Sequence, residues 1–257
     1  MMVCQITLMV GILPAQAFDL GGLIDNPQVG TMEKSLLNGS PSTGHGAMLN
    51  GMSAGDQIGG LKQALAQAAE SAVGSLAQVN GYLGNPAVRI PLPAPLQRVN
   101  ELLQPLGMGQ YGDDLTTTIN RAAEAAVPEA KALFMAAIQD MTVQDAKGIL
   151  TGGNDAATQF FRSKTEIPLA EKFRPIVEQS MVKVQLAQKY NEFAAQGVKL
   201  GVIKPQDANM NDYITHKALD GLYTMMAQQE KAIRANPMQA TGALARKVFS
   251  AIHPNLP

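Results

Sequence analysis

Apolar residues recur every three or four positions through most of the chain after residue 60, which is the spacing that places side chains on one face of an α-helix. In residues 61–79, for example, Leu61, Leu65, Ala68 and Leu76 share one face. Comparable segments are 96–106, 115–126, 128–141, 142–151, 154–161, 169–195, 207–235 and 241–252. Their connections are short, so the pattern predicts an all-α fold, an array of roughly eight antiparallel helices in one domain.

Several helix boundaries can be predicted from the sequence. Asp113 or Asp114 is placed to cap the helix that follows, because a carboxylate accepts hydrogen bonds from the free N–H groups of a first turn. Pro128 is expected to begin another helix. Thr142, with Asp145 three residues later, predicts a capping box.

Prolines mark the places where helices should stop or bend. Three closely spaced prolines follow the sequence GNPAVRI, so we expect a short extended crossing near residues 85–95, with Pro95 opening the next helix. Pro175 should either begin or kink the predicted helix 169–195.

The N-terminus has the pattern of a secretory signal peptide. An apolar run at residues 3–13 is followed by Ala15-Gln16-Ala17, a small-x-small cleavage pattern, although no Lys or Arg precedes the run. We predict cleavage after Ala17 and location in the periplasm. The run is shorter than the ~20 apolar residues that a membrane span needs, so no transmembrane segment is expected.

These boundaries give a domain plan: a signal peptide at 1–17, a flexible arm rich in Gly, Ser and Asn at 18–59, a helical domain at 60–253 and a tail at 254–257. Within the arm, residues 51–55 match the G-x-S-x-G motif of hydrolases around Ser53. The motif requires a strand before the serine and a helix after it, and neither is predicted, so chance explains the match better.

Composition excludes several classes of function. The chain carries 20 basic and 21 acidic residues, a balance that argues against a nucleic acid partner. Cys4 lies inside the predicted signal peptide and is the only cysteine, so we expect no disulfide, cysteine metal site or thiol chemistry, and no cofactor is predicted. Aromatic residues make up 5% and methionines number 14, which favours closely packed helices with an aliphatic interior.

Polar residues at helical spacings form the candidate site. They can be intrahelical surface pairs, or they can converge around a cleft and form a catalytic group. The candidate cluster is Asn120, Arg121, Glu124, Asp145, Lys217, Asp220, Glu230 and Arg234.

A weaker metal candidate lies on the predicted helix 207–235. Asp212, His216 and Asp220 are spaced four residues apart and therefore share one helix face. No second histidine is near in sequence, so surface pairing is the better reading and neither a metal ion nor a catalytic residue is assigned.

Six blocks of the sequence carry a family resemblance. They are NPAVRIPLP, NRAAEAAVPEAK, MTVQDAKGILTGGNDAATQFFRSKT, EKFRPIVEQSM, YITHKALDGLYTMMAQQEKAIRANP and KVF. In this order they resemble the bacterial domain of unknown function four-one-nine-seven, from about Gly60 to Ile252. The resemblance implies an exported helical domain of Gram-negative bacteria, and it brings no activity, cofactor or catalytic residue.

Taken together, the patterns favour a protein of the cell envelope that binds rather than catalyses. The leading hypothesis is a groove between helices for an apolar small molecule, a lipid or a helix of an envelope protein partner. The alternatives are an enzyme of unknown reaction that uses the Arg/Glu/Asp cluster, and a purely structural interaction module.

Overall fold

A computed structural model describes residues 52–107, 109–182, 191, 198–199 and 209–252. Its helices, numbered in chain order, are α1 Ala54–Leu76, α2 Ala94–Leu103, α3 Gln110–Ala126, α4 Ala130–Gln139, α5 Val143–Thr151, α6 Ala156–Met181, α7 Met210–Ala235 and α8 Ala243–Ile252. Short 3-10 turns continue α2 at Gln104–Leu106, precede α4 at Val127–Glu129 and precede α8 at Pro237–Gln239. The described residues include no strand, which confirms the all-α class. The predicted signal peptide and the tail lie outside the described residues, as does most of the predicted arm.

The two longest helices, α6 and α7, form the centre of the domain. α7 packs along α6, and α6 also packs on α3 and α4, while α1 packs against α8, α7 and α4. Alanines line many of these contacts, as Ala64, Ala72, Ala122 and Ala218 do, and their small side chains let helix backbones approach closely. The antiparallel arrangement of the helices remains a prediction. Among the described residues, no helix is long and apolar enough to cross a membrane.

The first helix begins at Ala54, before the predicted boundary at residue 60. Ser53 caps it, because the Ser53 Oγ accepts a hydrogen bond from the Asp56 N–H at 3.0 Å. A glycine at this predicted boundary has a packing role. A Cβ on Gly60 would lie 2.7 Å from the Leu244 carbonyl oxygen, so this glycine allows α8 to approach α1. Ser53 is thus followed by a helix, contrary to the expectation at the G-x-S-x-G match, and its hydroxyl oxygen is used as a helix cap.

The helix α6 runs without interruption through both Pro168 and Pro175, whereas the sequence predicted separate helices at 154–161 and 169–195. A proline removes a backbone donor and disfavours a helix interior. Tertiary packing outweighs that cost here, because α6 presents a buried side chain at every fourth position. These residues are Thr165, Leu169, Phe173, Val177 and Met181. Residues 183–190 of the predicted segment lie outside the described residues.

Helix caps were predicted with mixed success. The capping box is confirmed, since the Thr142 Oγ1 accepts from the Asp145 N–H at 3.1 Å and the Asp145 carboxylate accepts from the Thr142 N–H at 3.0 Å. The Asp145 carboxylate also accepts from the Thr142 hydroxyl at 2.7 Å, and the hydrogen bonds from the Thr142 hydroxyl and N–H lower the pKa of Asp145. The cap predicted at Asp113 or Asp114 is wrong, because α3 already begins at Gln110 and Asp113 lies in its first turn. The left-handed Gly107, with φ of 73°, ends the preceding turn and lets the chain re-enter a helix three residues later.

Candidate functional site

The crossing predicted near residues 85–95 corresponds to residues 77–93 between α1 and α2, where turns precede an irregular segment at 89–93. Side chains from α3 and α7 hold this crossing. Asn120 on α3 is fully buried and bonds to both backbone groups of one residue in the crossing. Its Oδ1 accepts from the Ile90 N–H at 2.8 Å, and its Nδ2 donates to the Ile90 carbonyl oxygen at 2.9 Å. A single amide side chain therefore supplies the pairing that a neighbouring strand would otherwise provide.

Glu124 lies one helical turn further along α3 and holds the start of the same crossing. The Glu124 Oε1 accepts from the backbone N–H groups of Tyr82 and Leu83 at 3.1 and 3.2 Å. The Glu124 Oε2 is 2.5 Å from the guanidinium of Arg121, which also donates to the Asn80 Oδ1 at 2.9 Å. Both oxygens of this buried carboxylate are thus occupied by the protein itself.

Tyr82 anchors the crossing to α7. Its ring is fully buried, and its hydroxyl donates to the Ala218 carbonyl oxygen at 2.6 Å. Burial, together with the nearby Glu124 charge, raises the pKa of Tyr82. Gly221 on α7 provides the room for the ring, because a Cβ at this position would lie 2.6 Å from the Tyr82 Cε1. The hydroxyl has a packing and hydrogen-bonding role.

A second buried ionic group joins α5, α6 and α7. The Glu230 carboxylate accepts from the backbone N–H groups of Ala157 and Thr158, each at 2.9 Å, at the first turn of α6. Arg234 donates to Glu230 at 2.9 Å and to the Ile149 carbonyl oxygen near the end of α5 at 2.8 Å. Side-chain exposures are 4% for Glu230 and 3% for Arg234. The pair therefore satisfies N–H groups in the first turn of one helix and adds a donor to a carbonyl near the end of another, which also accepts from the Gly152 N–H at 3.4 Å.

The other members of the predicted cluster lie on the surface. Asp145 is used in its capping box, and Lys217 lies 5.9 Å from the centre of the Tyr213 ring. Asp220 accepts from Arg162 at 3.3 Å. No hydrogen bond or ion pair among the described residues joins the group around Glu124 to the group around Glu230. The eight residues are therefore divided between two buried structural groups and the exposed surface.

The three residues of the metal candidate do not form a common site either. Asp212 forms an ion pair with Arg174 at 3.0 Å, and Asp220 forms one with Arg162. His216, between them on α7, is exposed. In the part of the chain that the structure describes, no three His, Cys, Asp or Glu side chains are close enough together to hold a metal ion.

The helix α2 differs from every other long helix because none of its residues is buried. The side that faces the domain carries the partly buried Leu96 and two amides: Gln97 Nε2 donates to the Leu92 carbonyl oxygen at 2.6 Å, and Asn100 lies against Gly112. The opposite side carries Val99, Leu102 and Leu106, which we name the α2 stripe, with exposures of 49%, 73% and 71%. Steps of three and four residues keep the stripe on one side of the helix and the turn that continues it.

Two concave regions lie beside these elements. A cleft of about 290 Å³ separates α2 from the crossing and from the start of α3, and most of the residues that line it are polar. We name it the α2 cleft. A second pocket, of about 280 Å³, lies between α4 and α6 and is lined by Leu133, Ala136, Ala137 and Phe160, with Asp140, Lys164 and Thr165 also present.

Sequence reasoning identified the right polar residues and two of their ion pairs, but it missed their backbone partners. Asn120, Glu124, Glu230 and Arg234 were chosen from spacing along single helices, whereas their contacts are with backbone groups far away in sequence. The residues of the α2 stripe recur at helical spacing, but this spacing does not tell whether the face that they form is buried or exposed. The amides on the facing side, such as Asn100, were the available signal.

The part of the chain that matches a known protein family has nearly the same extent as the described fold. A family model described as "Protein of unknown function (DUF4197)" matches residues 51–250, which span from the cap of α1 into α8. No curated protein and no solved structure matches the chain. Since the matched region is most of the sequence, the chain belongs to the DUF4197 family.

Proposed function

We propose that this protein is a non-enzymatic interaction module whose α2 stripe binds an amphipathic helix of a partner protein. The observation that supports this most is the orientation of α2. An amphipathic helix normally buries its apolar side, whereas α2 turns Leu96 and two amides toward the domain and leaves Leu102 and Leu106 about 70% exposed. Contiguous exposed apolar residues of this kind are typical of binding surfaces.

Charges near the stripe favour a basic partner. Arg98 and Glu101 lie on α2, and Asp113 and Asp114 follow in the first turns of α3, all of them exposed. One basic and three acidic side chains leave a net charge of −2 in this region. A helix with Lys or Arg beside its apolar face complements this charge, whereas a second copy of the chain or an anionic lipid surface would meet like charge.

The contacts of the ionic residues support binding over catalysis. Glu124 and Glu230 each use their carboxylate oxygens on backbone N–H groups and an arginine. A catalytic acid or base needs an oxygen that can reach a substrate. The fold itself explains both carboxylates, because Glu230 binds the start of α6 and Glu124 binds the crossing.

A direct test uses the purified chain and synthetic peptides of about 18 residues, long enough for five helical turns. A leucine and lysine peptide with helical spacing should bind, and its leucine and glutamate counterpart should bind at least tenfold more weakly. Leu102→Ser with Leu106→Ser should abolish binding of the lysine peptide. Val143→Ser replaces an isolated exposed residue on α5 and serves as the matched control. Equal binding of both peptides, or binding that survives the double substitution, would contradict the proposal.

The pocket between α4 and α6 supports a second candidate function, the binding of an apolar small molecule. Leu133 and Phe160 offer carbon surface, and Lys164 provides a cation for a polar head group. Native mass spectrometry of protein purified from its own host, in mild conditions, would detect such a ligand. Loss of the bound mass in Ala137→Phe, which fills the pocket, would support this function, and retention would exclude this pocket.

The proposed site of action is the periplasm. The apolar run at residues 3–13 and the Ala15-Gln16-Ala17 pattern support export. Expression of the full chain in a Gram-negative host should give a periplasmic protein whose mass corresponds to a chain that starts at Phe18. A cytoplasmic protein that keeps residues 1–17 would contradict this part of the proposal.

A further inference from the structure

We propose that the α2 cleft binds a free amino acid, with preference for one that has a basic side chain. This site is separate from the α2 stripe, because the stripe is the outer side of α2 and the cleft is beneath its polar side. The proposal goes beyond the proposed function, and either can fail without the other.

Hydrogen-bonding groups from three elements meet at the cleft. The crossing contributes Arg89, α2 and the turn that continues it contribute Asn100, Glu101 and Gln104, and the first turn of α3 contributes Asp113. The Asn100 Oδ1 packs against Gly112, where it is buried and has no hydrogen-bond partner. Most buried polar atoms in proteins do have one, so a rotation that turns this oxygen toward a donor of a ligand in the cleft is favourable.

The charges that line the cleft do not neutralise one another. Arg89, Glu101 and Asp113 form no ion pair with each other or with any other described residue. Arginines elsewhere in the domain do form pairs across helices, as Arg162 and Arg174 do. Opposite charges are therefore present on different walls of one cleft and remain free to contact a ligand.

The arrangement of charges defines the ligand. A guanidinium binds a carboxylate through two parallel hydrogen bonds, so Arg89 would hold the carboxylate of the ligand. The α-ammonium would lie near one of the two carboxylates, and the second carboxylate would suit a basic side chain. A simple anion would meet two like charges, and a simple cation would meet Arg89. A volume of about 290 Å³ is close to the lower end of the range for small-molecule pockets, which suits a single amino acid.

The wall that carries Arg89 is fixed before any ligand arrives. The Arg89 N–H donates to the Asn85 carbonyl oxygen at 2.8 Å, and the next residue, Ile90, is held by Asn120. On the other side, the Tyr213 hydroxyl donates to the Pro91 carbonyl oxygen at 3.0 Å. A rigid backbone at the binding group reduces the entropy lost on binding.

Isothermal titration calorimetry on the purified chain tests the inference with L-lysine, L-arginine, L-leucine and L-glutamate. We expect one site, with L-lysine or L-arginine bound at least tenfold more tightly than L-leucine, and L-glutamate bound most weakly. Arg89→Gln should weaken binding of the basic amino acids at least tenfold, and Asp113→Asn should reduce the preference for them over L-leucine. Arg98→Gln is the matched control, because Arg98 is an exposed arginine of α2 that does not line the cleft.

Two results would overturn the inference. One is the absence of binding by all four amino acids at millimolar concentration to protein with an intact helical circular dichroism spectrum. The other is binding that Arg89→Gln leaves unchanged. The Leu102→Ser, Leu106→Ser double variant should bind amino acids normally, and loss of amino acid binding in that variant would contradict a cleft that is separate from the α2 stripe.

Discussion

The junction of α5, α6 and α7 and the region of α2 use opposite arrangements of charge and carbon. At the junction, Glu230 and Arg234 are almost completely buried and bond to helix ends. At α2, Leu96 and two amides face the domain while Leu102 and Leu106 face the solvent. A charge inside the domain costs desolvation and persists only where it is fully paired, and apolar side chains outside it gain nothing from folding. The junction is therefore explained by the fold itself, whereas the α2 stripe is not.

The largest expected effect concerns the junction. Glu230→Ala removes the acceptor for three donors of α6 and leaves the guanidinium of Arg234 buried without its carboxylate. We expect the free energy of unfolding to fall by roughly 3–5 kcal/mol, as when one partner of a buried ion pair is deleted. Urea denaturation followed by circular dichroism measures this change.

The exposed pair between Glu70 and Lys131, at 3.0 Å, is the control for that measurement. Glu70→Ala should change the free energy of unfolding by at most about 1 kcal/mol. If the free energy of unfolding falls equally in Glu230→Ala and Glu70→Ala, the buried pair is no more important for stability than an ordinary surface pair.

A smaller effect is expected where the crossing packs on α7. Gly221→Ala would force a methyl group to within 2.6 Å of the Tyr82 Cε1, so we expect a loss of about 1–3 kcal/mol from overpacking. Gly74→Ala is the matched control, because nothing lies within 4 Å of a Cβ at that position in α1. The control should gain about 0.5–1 kcal/mol in thermal or urea unfolding, since alanine favours helix. A stable Gly221→Ala variant would mean that Tyr82 is not tightly packed.

Alkaline pH should lower the free energy of unfolding through tyrosines buried in the interior, and not through the residues of α2. Burial raises the pKa of Tyr223 from 10.0 to about 12, although its hydrogen bond with Thr165 acts in the opposite direction. The folded state holds this proton more tightly than the unfolded state, so the contribution to stability is complete below pH 10.0 and is lost as the pH rises through about 12. Urea midpoints measured between about pH 9 and 12 should fall, and Tyr223→Phe should reduce the slope. Tyr82 should provide the slope that remains, because its pKa is raised as well.

The smallest effect on stability is expected at α2. Leu102→Ser should change the free energy of unfolding by no more than about 0.5 kcal/mol, as for other exposed substitutions. Leu61→Ala, in the interior of α1, should cost about 2–5 kcal/mol in the same assay. A large loss in Leu102→Ser would place the α2 stripe in the core and contradict its role as a surface for binding.

Local signals in the sequence were sufficient for most of the fold. The alanine and leucine stripe of α1, the capping box at Thr142 and the stop of α7 at Asn236 depend on neighbouring residues, and each was predicted. The continuity of α6 was not, because local rules count Pro168 and Pro175 as breaks while the packing of Leu169 and the rest of that stripe on other helices decides the outcome.

The candidate site was less accessible to prediction for the same physical reason. Spacing identified Arg121 with Glu124 and Glu230 with Arg234 as possible pairs, and these pairs exist. What they do depends on donors such as the Thr158 N–H, which is 72 residues from Glu230 along the chain. Nothing in the local pattern could indicate that contact, or that the α2 stripe would face outward.

The most direct test of the account compares two variants in two assays, urea unfolding and binding of the leucine and lysine peptide. The Leu102→Ser, Leu106→Ser double variant should unfold at the urea concentration of the unmodified protein and should no longer bind the peptide. Glu230→Gln should unfold at a lower urea concentration and, where it remains folded, should bind as before. If the double variant loses stability as Glu230→Gln does, or keeps its binding, the exposed face of α2 is not the binding surface of this protein.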